Sequence, residues 1–492
     1  MKIPIFPKNH KQLKSLITYL LLITWLGLFF VGLHGYQGSG HIFVIFSATY
    51  LVMLISGLTK NPTYGYTFLT IILWLGFWLK AVFHLLIDYP FVEPIGLFNN
   101  TQADWDNVLL VASIGAMGVV LGKYIWHLTF RKKITTTNQI EHFAPRWYGT
   151  YRVRLWAGLI LFLFIVATLN ICYSFQQIGL VPRTVLWPLN TTFFWLLSTG
   201  FAMSVSTLLW WEFSSPQKNI NTIYFVLLEA GISSISSLSR GLYIFHVIPI
   251  AYALLKNKIL LRPANAKWYM CISLATLLFF LLCYPLVNTA RDFYYSGVPL
   301  TDTEWMNKEH STLINATTEL TTATTKLIKF SVDRWIGLEG LMATCAVKEK
   351  NIKLFITVAT EKGEIGTASI FQEIALSHYR FMDLQKFVFA SLPGPISFLY
   401  LSGSKWIVGI GMLLLSFILL TLELTITKTF KNPLLSALWG SILATSVAQM
   451  GLNISGLTFY LFLCSIGFIV LFLLQYSHAL TSIFVKKSKL RQ

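Results

Sequence analysis

The sequence predicts an all-α polytopic membrane protein with about twelve transmembrane helices. Hydrophobic residues make up 55% of the 492 residues and charged residues only 12%, against about 25% charged residues in an average soluble domain. Apolar runs of roughly 20 residues recur along the chain, and each is long enough to span about 30 Å of hydrocarbon. Lys and Arg cluster in short loops between these runs, as they do in cytoplasmic loops.

The apolar runs lie at 15–33, 41–58, 66–87, 108–130, 155–175, 192–211, 220–238, 242–255, 268–289, 406–426, 434–452 and 457–476. The first run follows a basic start, and no small-residue cleavage site comes after it. We therefore interpret it as an uncleaved first span and not as a signal peptide. Basic loops alternate with loops poor in Lys and Arg, which predicts that both termini are cytoplasmic.

One polar segment, 291–404, is long enough to fold outside the bilayer. It divides the chain into nine membrane helices over 1–290, an extracytoplasmic cap loop over 291–404, and three further helices with a basic cytoplasmic tail over 405–492. Because the apolar spans carry little charge and the polar residues concentrate here, we expect the chemistry to lie beneath this loop.

The net charge of +18 indicates topology and not a nucleic-acid partner, because the basic residues lie in the predicted cytoplasmic loops. The five cysteines form neither a disulfide framework nor a CxxC metal spacing. The sequence contains no Walker motif and no GxGxxG motif, which disfavours ATP-driven transport. No metal and no other cofactor is predicted.

Arginine on the extracytoplasmic side departs from the positive-inside rule. Five such arginines lie near span ends or in the cap: Arg183, Arg240, Arg291, Arg334 and Arg380. Arginine binds phosphate through a planar fork of donors and stays charged. Each residue alone could pair with a carboxylate or a lipid headgroup. The group predicts a binding site for a lipid-linked diphosphate.

Three residues of the cap are candidate catalytic groups: Glu339, Glu373 and His378. Any of them could act as a general base on a sugar hydroxyl. If 371–381 were one helix, Glu373 and Arg380 would share a face of it. A salt bridge within the cap is the alternative interpretation for each of these residues.

Ionisable residues inside membrane spans are costly, and they are usually functional or paired. Glu229 and Arg240 would share a helical face, and an ion pair with another helix and a catalytic role both remain open. Lys80 and His84, four residues apart, could contact phosphate or relay protons, whereas snorkelling of the lysine to the interface is the alternative. Asp106 of a D-W-D motif could help to hold a metal or could be the N-cap of a span.

Three strings of the cap, DRWIGLEGLMA, FQEIALSHYRF and LPGPISFLYLSGS, resemble the Wzy-like oligosaccharide repeat-unit polymerases, also called O-antigen polymerases. The local resemblance covers 333–404, and the architecture is similar over the whole chain. In that family, outer-loop arginines are followed at a distance by glycine, as Arg380 precedes Gly394 and Arg291 precedes Gly297 here.

This resemblance implies a membrane glycosyltransferase of the C-type class in the bacterial inner membrane. Such an enzyme would move a glycan chain from undecaprenyl diphosphate onto the next lipid-linked repeat unit, without a nucleotide sugar. The implied partners are the undecaprenyl-diphosphate-linked oligosaccharide, the lipid bilayer, and a chain-length regulator and a flippase of the same pathway.

Three alternatives remain open at this point, one of which is a membrane scaffold for polysaccharide assembly without catalysis. O-antigen ligases share the architecture and use outer-loop arginine and histidine, a part that His378 could play. A lipid-linked oligosaccharide flippase or transporter belongs to another class, and it would be expected to carry charged residues through its spans and to lack a large outer cap.

Overall fold

The computed structural model describes residues 10–59, 63–87, 91, 93–135, 144–183, 188–215, 219–257, 266–295, 332, 335–450 and 454–489. Most of these residues are helical. Among these described residues, eight helices are long and apolar enough to cross a membrane, and four shorter apolar helices of 10–17 residues accompany them. These helices lie at the positions of the predicted apolar runs, so the prediction of a helical polytopic membrane protein is confirmed at this level. The number of spans stays a prediction.

The helices before the cap are α1 His10–Gly35, α2 Gly40–Leu58, α3 Gly65–Leu73, α4 Lys80–Ile87, α5 Gln102–Thr135, α6 Tyr148–Tyr173, α7 Leu189–Trp195, α8 Phe201–Ser214, α9 Tyr224–Ser236, α10 Leu242–Lys256 and α11 Ala266–Tyr294. A 3-10 turn, Ile220–Ile223, leads into α9. Two π-helical turns, Trp74–Leu79 and Leu196–Gly200, join α3 to α4 and α7 to α8. Such turns interrupt the regular helical hydrogen bonds and occur often at functional sites.

The remaining helices are α12 Leu338–Ala346, α13 Ile352–Ala359, α14 Ile370–Ile374, α15 Pro395–Tyr400, α16 Lys405–Phe430, α17 Pro433–Ala448 and α18 Ile454–Lys489. A 3-10 turn, His378–Phe381, follows α14. Strands β1 Gly179–Leu180 and β2 Phe387–Val388 pair antiparallel. This pairing joins the connection after α6 to residues 335–404, the described cap segment, and we call this end of the bundle the cap end.

Two helices of the cap segment are packed within the bundle. Leu338, Leu341 and Met342 of α12 belong to the same buried cluster as residues of the spans, and all of α15 is buried. Gly76 permits this close approach, because a Cβ at that position would collide with the backbone oxygen of Ile336. This part of the cap segment therefore differs from a soluble domain that only lies over the membrane helices.

Buried carboxylates fix the end of the bundle that lies away from the cap. Glu423 of α16 accepts hydrogen bonds from backbone N–H groups at the start of α3, including that of Gly65 at 2.7 Å. Glu212 of α8 accepts from the Tyr148 hydroxyl at 2.8 Å and pairs with Arg152 at 2.6 Å. Because each buried acceptor has donors, these charges stabilise helix contacts at that end.

Candidate functional site

The candidate site lies at the cap end, where separate parts of the chain meet. They are the connection 174–183 after α6, the turn 237–241 between α9 and α10, and residues 291–295 at the end of α11. We call these three parts the arginine junction. The cap residues 377–391 lie against it, because β2 pairs with β1 of the connection.

The turn between α9 and α10 determines where Arg240 lies. Leu238 adopts a left-handed backbone conformation, with φ of 54°, and the Ser239 N–H returns to the Ser234 carbonyl at 2.9 Å. This geometry ends α9 at Ser236, so Arg240 is not on the helix that carries Glu229. The prediction that these two side chains share a helical face is therefore wrong.

Arg240 and Arg291 act on the same phenol. Arg291 Nε donates to the Leu238 carbonyl at 2.8 Å, and its guanidinium lies 6.0 Å from the centre of the Tyr295 ring. The Tyr295 hydroxyl donates to the Ile178 carbonyl. Burial raises the pKa of Tyr295 above its ordinary value, and the positive charges of Arg291 and Arg240 lower that pKa in part. The structure thus brings two of the predicted arginines together at the arginine junction.

Aromatic rings connect the arginine junction to the cap. The Phe389 ring meets Tyr295 edge to face, with centroids 5.3 Å apart, and stacks on Tyr379 at 5.1 Å. Tyr379 lies in the 3-10 turn that also carries His378 and Arg380. Two further predicted site residues therefore belong to a turn that packs onto the junction through these rings.

Arg380 pairs with Glu373, but the two residues do not share a helix. Arg380 Nη1 lies 3.2 Å from Glu373 Oε2, with side chains 20% and 58% exposed. The segment 371–381 is not one helix, because α14 ends at Ile374 and Leu376 has a φ of 54°. The ion pair therefore forms across a turn, at the surface of the cap segment.

Glu339 has a different environment from the other two candidate bases. It lies in the first turn of α12, almost completely buried, and its Oε1 is 2.6 Å from Lys80 Nζ. Lys80 is fully buried in the core, so the interpretation of Lys80 as a snorkelling side chain is wrong. Glu339 is thus one half of an ion pair between the cap segment and the third span.

Glu229 pairs with a residue of another helix, one of the two alternatives that the sequence left open, although the partner itself was not predicted. Its Oε2 lies 3.1 Å from Nδ1 of His246 in α10, and its Oε1 accepts from the Ser233 hydroxyl at 2.9 Å. Nε2 of His246 lies 3.0 Å from the carbonyl oxygen of Ser198, which belongs to a π-helical turn. A histidine within an apolar run was the available signal, and the structure gives it a buried carboxylate partner.

Other predicted residues lie apart from these contacts. Arg183 is exposed, and its guanidinium lies 6.0 Å from the Tyr173 ring centre. Arg334 lies outside the described residues. Asp106 accepts from the hydroxyls of Tyr36 at 2.8 Å and Ser39 at 2.6 Å.

The expected N-cap role of Asp106 is wrong, because α5 begins at Gln102. Instead, Asp106 holds the connection between α1 and α2 against the start of α5. Within the part of the chain that the structure describes, no group of three His, Cys, Asp or Glu side chains could hold a metal ion.

Comparison of the chain with protein-family models, with curated proteins and with solved structures finds no match.

Proposed function

We propose that this protein is an oligosaccharide repeat-unit polymerase. It would transfer a growing glycan from undecaprenyl diphosphate to the incoming lipid-linked repeat unit, at the outer side of a bacterial inner membrane. The observation that carries this proposal is the meeting of Arg240 and Arg291 at Tyr295, where span ends adjoin the cap segment.

The chemistry of the proposed reaction suits two arginines. When the bond between the sugar and the diphosphate breaks, negative charge develops on the departing phosphate oxygen. Fixed guanidinium groups stabilise such charge, and their forked donors match the geometry of phosphate. The arginine junction supplies two of these groups at one position.

The position of α11 suits the lipid tail of this substrate. Only 11% of an 18-residue apolar stretch within Met270–Tyr294 is buried within the protein, and side chains such as Leu278, Leu282 and Leu286 are exposed. Arg291 lies at the cap end of the same helix. An isoprenoid tail along α11 would therefore have its diphosphate at the depth of the arginine junction.

The cap segment supplies candidates for the group that accepts a proton from the attacking hydroxyl. His378 and Glu373 are exposed near Arg380, whereas Glu339 is buried in its pair with Lys80. A base must reach the acceptor hydroxyl in the bound complex. We therefore favour the exposed turn over Glu339 for this role, and we assign Glu339 to positioning α12.

Deleting the gene from its own bacterium and separating the surface glycans by length on a gel tests the proposal. Loss of the ladder, with single repeat units still attached to the final acceptor, is the result expected of a polymerase. An unchanged ladder would overturn the proposal. Full-length polymer retained on its lipid carrier would indicate a ligase instead, and repeat units trapped on the cytoplasmic leaflet would indicate a flippase.

A further inference from the structure

Gln177 is a buried amide whose hydrogen-bonding groups are both unused within the described chain. The residue is 5% exposed, and neither its Oε1 nor its Nε2 has a hydrogen-bond partner among the described residues. Burying such a polar group without a partner is costly. Folded proteins therefore retain few groups of this kind, and a role in contacting a ligand is one physical reason for them.

The position of Gln177 connects this observation to the arginine junction. Gln177 directly precedes Ile178, whose N–H donates to the Ser237 carbonyl at 3.0 Å. The carbonyl of Ile178 accepts from the Tyr295 hydroxyl. Ile178 is therefore hydrogen-bonded both to the turn before Arg240 and to the end of α11. The unused amide of Gln177 belongs to the preceding residue.

Two further polar atoms without partners among the described residues lie on α9, which precedes the turn with Arg240, and on α11, which carries Arg291. The Ser234 hydroxyl on α9 and the Oδ1 of Asn288 on α11 are buried, without a hydrogen-bond partner among the residues described. The Ser234 carbonyl holds the turn that leads to Arg240, and Asn288 lies about one helical turn before Arg291. Polar atoms without partners among the described residues thus lie on the segments next to Arg240 and Arg291.

We propose that Gln177 is a substrate-binding residue that contacts a glycosyl diphosphate at the link between its first sugar and its diphosphate. This inference rests on the proposed function and identifies a further residue of the same site. The amide needs both an acceptor for Nε2 and a donor for Oε1. A phosphate oxygen supplies the acceptor, and a hydroxyl or acetamido N–H of the first sugar supplies the donor.

The same reasoning separates three possible ligands. Diphosphate alone offers only acceptors to Gln177, so it leaves Oε1 without a donor. A hydrocarbon tail offers neither a donor nor an acceptor. A glycosyl diphosphate is the class that satisfies both groups, and the guanidinium groups of the arginine junction can neutralise its charge.

The test compares the wild type with Gln177→Met, a substitution of similar length that removes only the amide. Both purified proteins are titrated with geranyl-diphospho-N-acetylglucosamine and, separately, with geranyl diphosphate. We expect Gln177→Met to bind the sugar-containing probe about tenfold or more weakly, since two hydrogen bonds are lost. Binding of geranyl diphosphate should weaken less, because only the hydrogen bond from Nε2 to the phosphate is lost with this probe.

Thermal unfolding without ligand supplies the second measurement. Removing an amide that has no partner should leave the melting temperature equal or higher. Gln372→Met is the matched control, because Gln372 is buried and fully used. Its Nε2 donates to the Phe389 carbonyl at 2.6 Å, and its Oε1 accepts from the Ser369 N–H at 2.8 Å. That variant should melt at a lower temperature.

Equal binding of the sugar-containing probe by Gln177→Met and the wild type would overturn the inference. So would a clear drop in its melting temperature without ligand, because the amide would then be satisfied within the fold. Binding is measured without transfer, so this outcome is distinct from that of the polymerase proposal. The glycan ladder could survive gene deletion while Gln177→Met no longer binds the sugar-containing probe. In that case the polymerase proposal fails, and the proposed binding site for a glycosyl diphosphate is still supported.

Discussion

The Lys80 ammonium and the Glu339 carboxylate lie 2.6 Å apart in the core, with side chains 0% and 3% exposed. Lys80 begins α4 directly after a π-helical turn, and Glu339 lies in the first turn of α12. The pair therefore fixes the cap segment to the third span. Because neither charge reaches water, each depends on the other for compensation.

Removing either member of this pair should destabilise the protein strongly. Lys80→Met leaves a buried carboxylate unpaired, and Glu339→Leu removes the carboxylate that faces a buried ammonium, so we expect each to cost about 3–5 kcal/mol. The double variant Lys80→Met, Glu339→Leu should recover most of that loss, because apolar replacements of both partners are often neutral. Thermal unfolding of the purified proteins measures the three changes, and losses that simply add would contradict the pairing.

The three candidate bases differ in their surroundings, which leads to a separate prediction. Glu339 is buried in its ion pair with Lys80, and Glu373 is paired with Arg380. His378 is exposed in the turn that packs onto the arginine junction. We therefore expect His378→Gln to lower transfer by about 10²–10⁴-fold.

Glu373→Gln serves as the comparison for His378→Gln. Because the pair of Glu373 and Arg380 is partly exposed, this change should alter stability by less than about 1 kcal/mol. Glycan chain length in complemented deletion cells reports activity, and thermal unfolding reports folding. A larger loss of transfer in Glu373→Gln than in His378→Gln, with both proteins folded, would reverse the assignment.

The sequence was sufficient for the apolar helices, because hydropathy is a local signal, whereas the type of site stays a prediction. The arrangement of Arg240 and Arg291 depends on a feature that this signal does not contain. Leu238 takes a left-handed conformation that glycine ordinarily favours. Reading 220–238 as one continuous span therefore extended α9 past Ser236 and placed Arg240 beside Glu229.

For a similar reason, the sequence could not predict which residues pair when they lie far apart along the chain. Lys80 and Glu339 are separated by 259 positions, and nothing local to either indicates the other. Glu373 and Arg380 do meet as predicted, although the turn at Leu376 and not a helix brings them together. Contacts between residues that are close in sequence can thus be predicted even when the secondary structure predicted for them is wrong.

The pair of Glu229 and His246 contains a definite number of protons, which leads to a prediction. The Ser198 carbonyl can only accept, so Nε2 of His246 carries a hydrogen. One further proton must then lie between Nδ1 and Glu229, and the pair is neutral wherever that proton resides. Glu229→Gln preserves this arrangement, because its amide can donate to Nδ1 and accept from Ser233.

We therefore expect Glu229→Gln to unfold within about 1 kcal/mol of the wild type and to retain transfer. Glu229→Leu should lose about 1–3 kcal/mol for each of the two partners that it leaves unsatisfied. Thermal unfolding and glycan chain length are measured on both. A Glu229→Gln protein that folds normally but makes no polymer would show that the proton of this pair takes part in the reaction.

Arg240→Ala and Arg291→Ala test the central feature of the site. If both guanidinium groups stabilise the departing diphosphate, each substitution should lower transfer by about 10²–10³-fold, the effect of removing one preorganised donor in a protected site. Arg240→Lys should restore only part of the loss, because lysine keeps the charge but not the forked donors. Expression and melting temperature show whether the variants fold.

Lys386→Ala is a suitable control for the removal of a positive charge near this site. Lys386 lies next to β2, and its pair with Asp383 at 3.1 Å is largely exposed, so its loss should change transfer less than about twofold. The effect of Arg183→Ala on transfer should lie between the effects of Lys386→Ala and Arg240→Ala, because Arg183 is exposed at the edge of the arginine junction. If all of these variants made full-length polymer, the arginines would have no part in the reaction. If Lys386→Ala impaired transfer as much as Arg240→Ala, the general positive charge of the cap end would account for the effect, and the paired guanidinium groups would not.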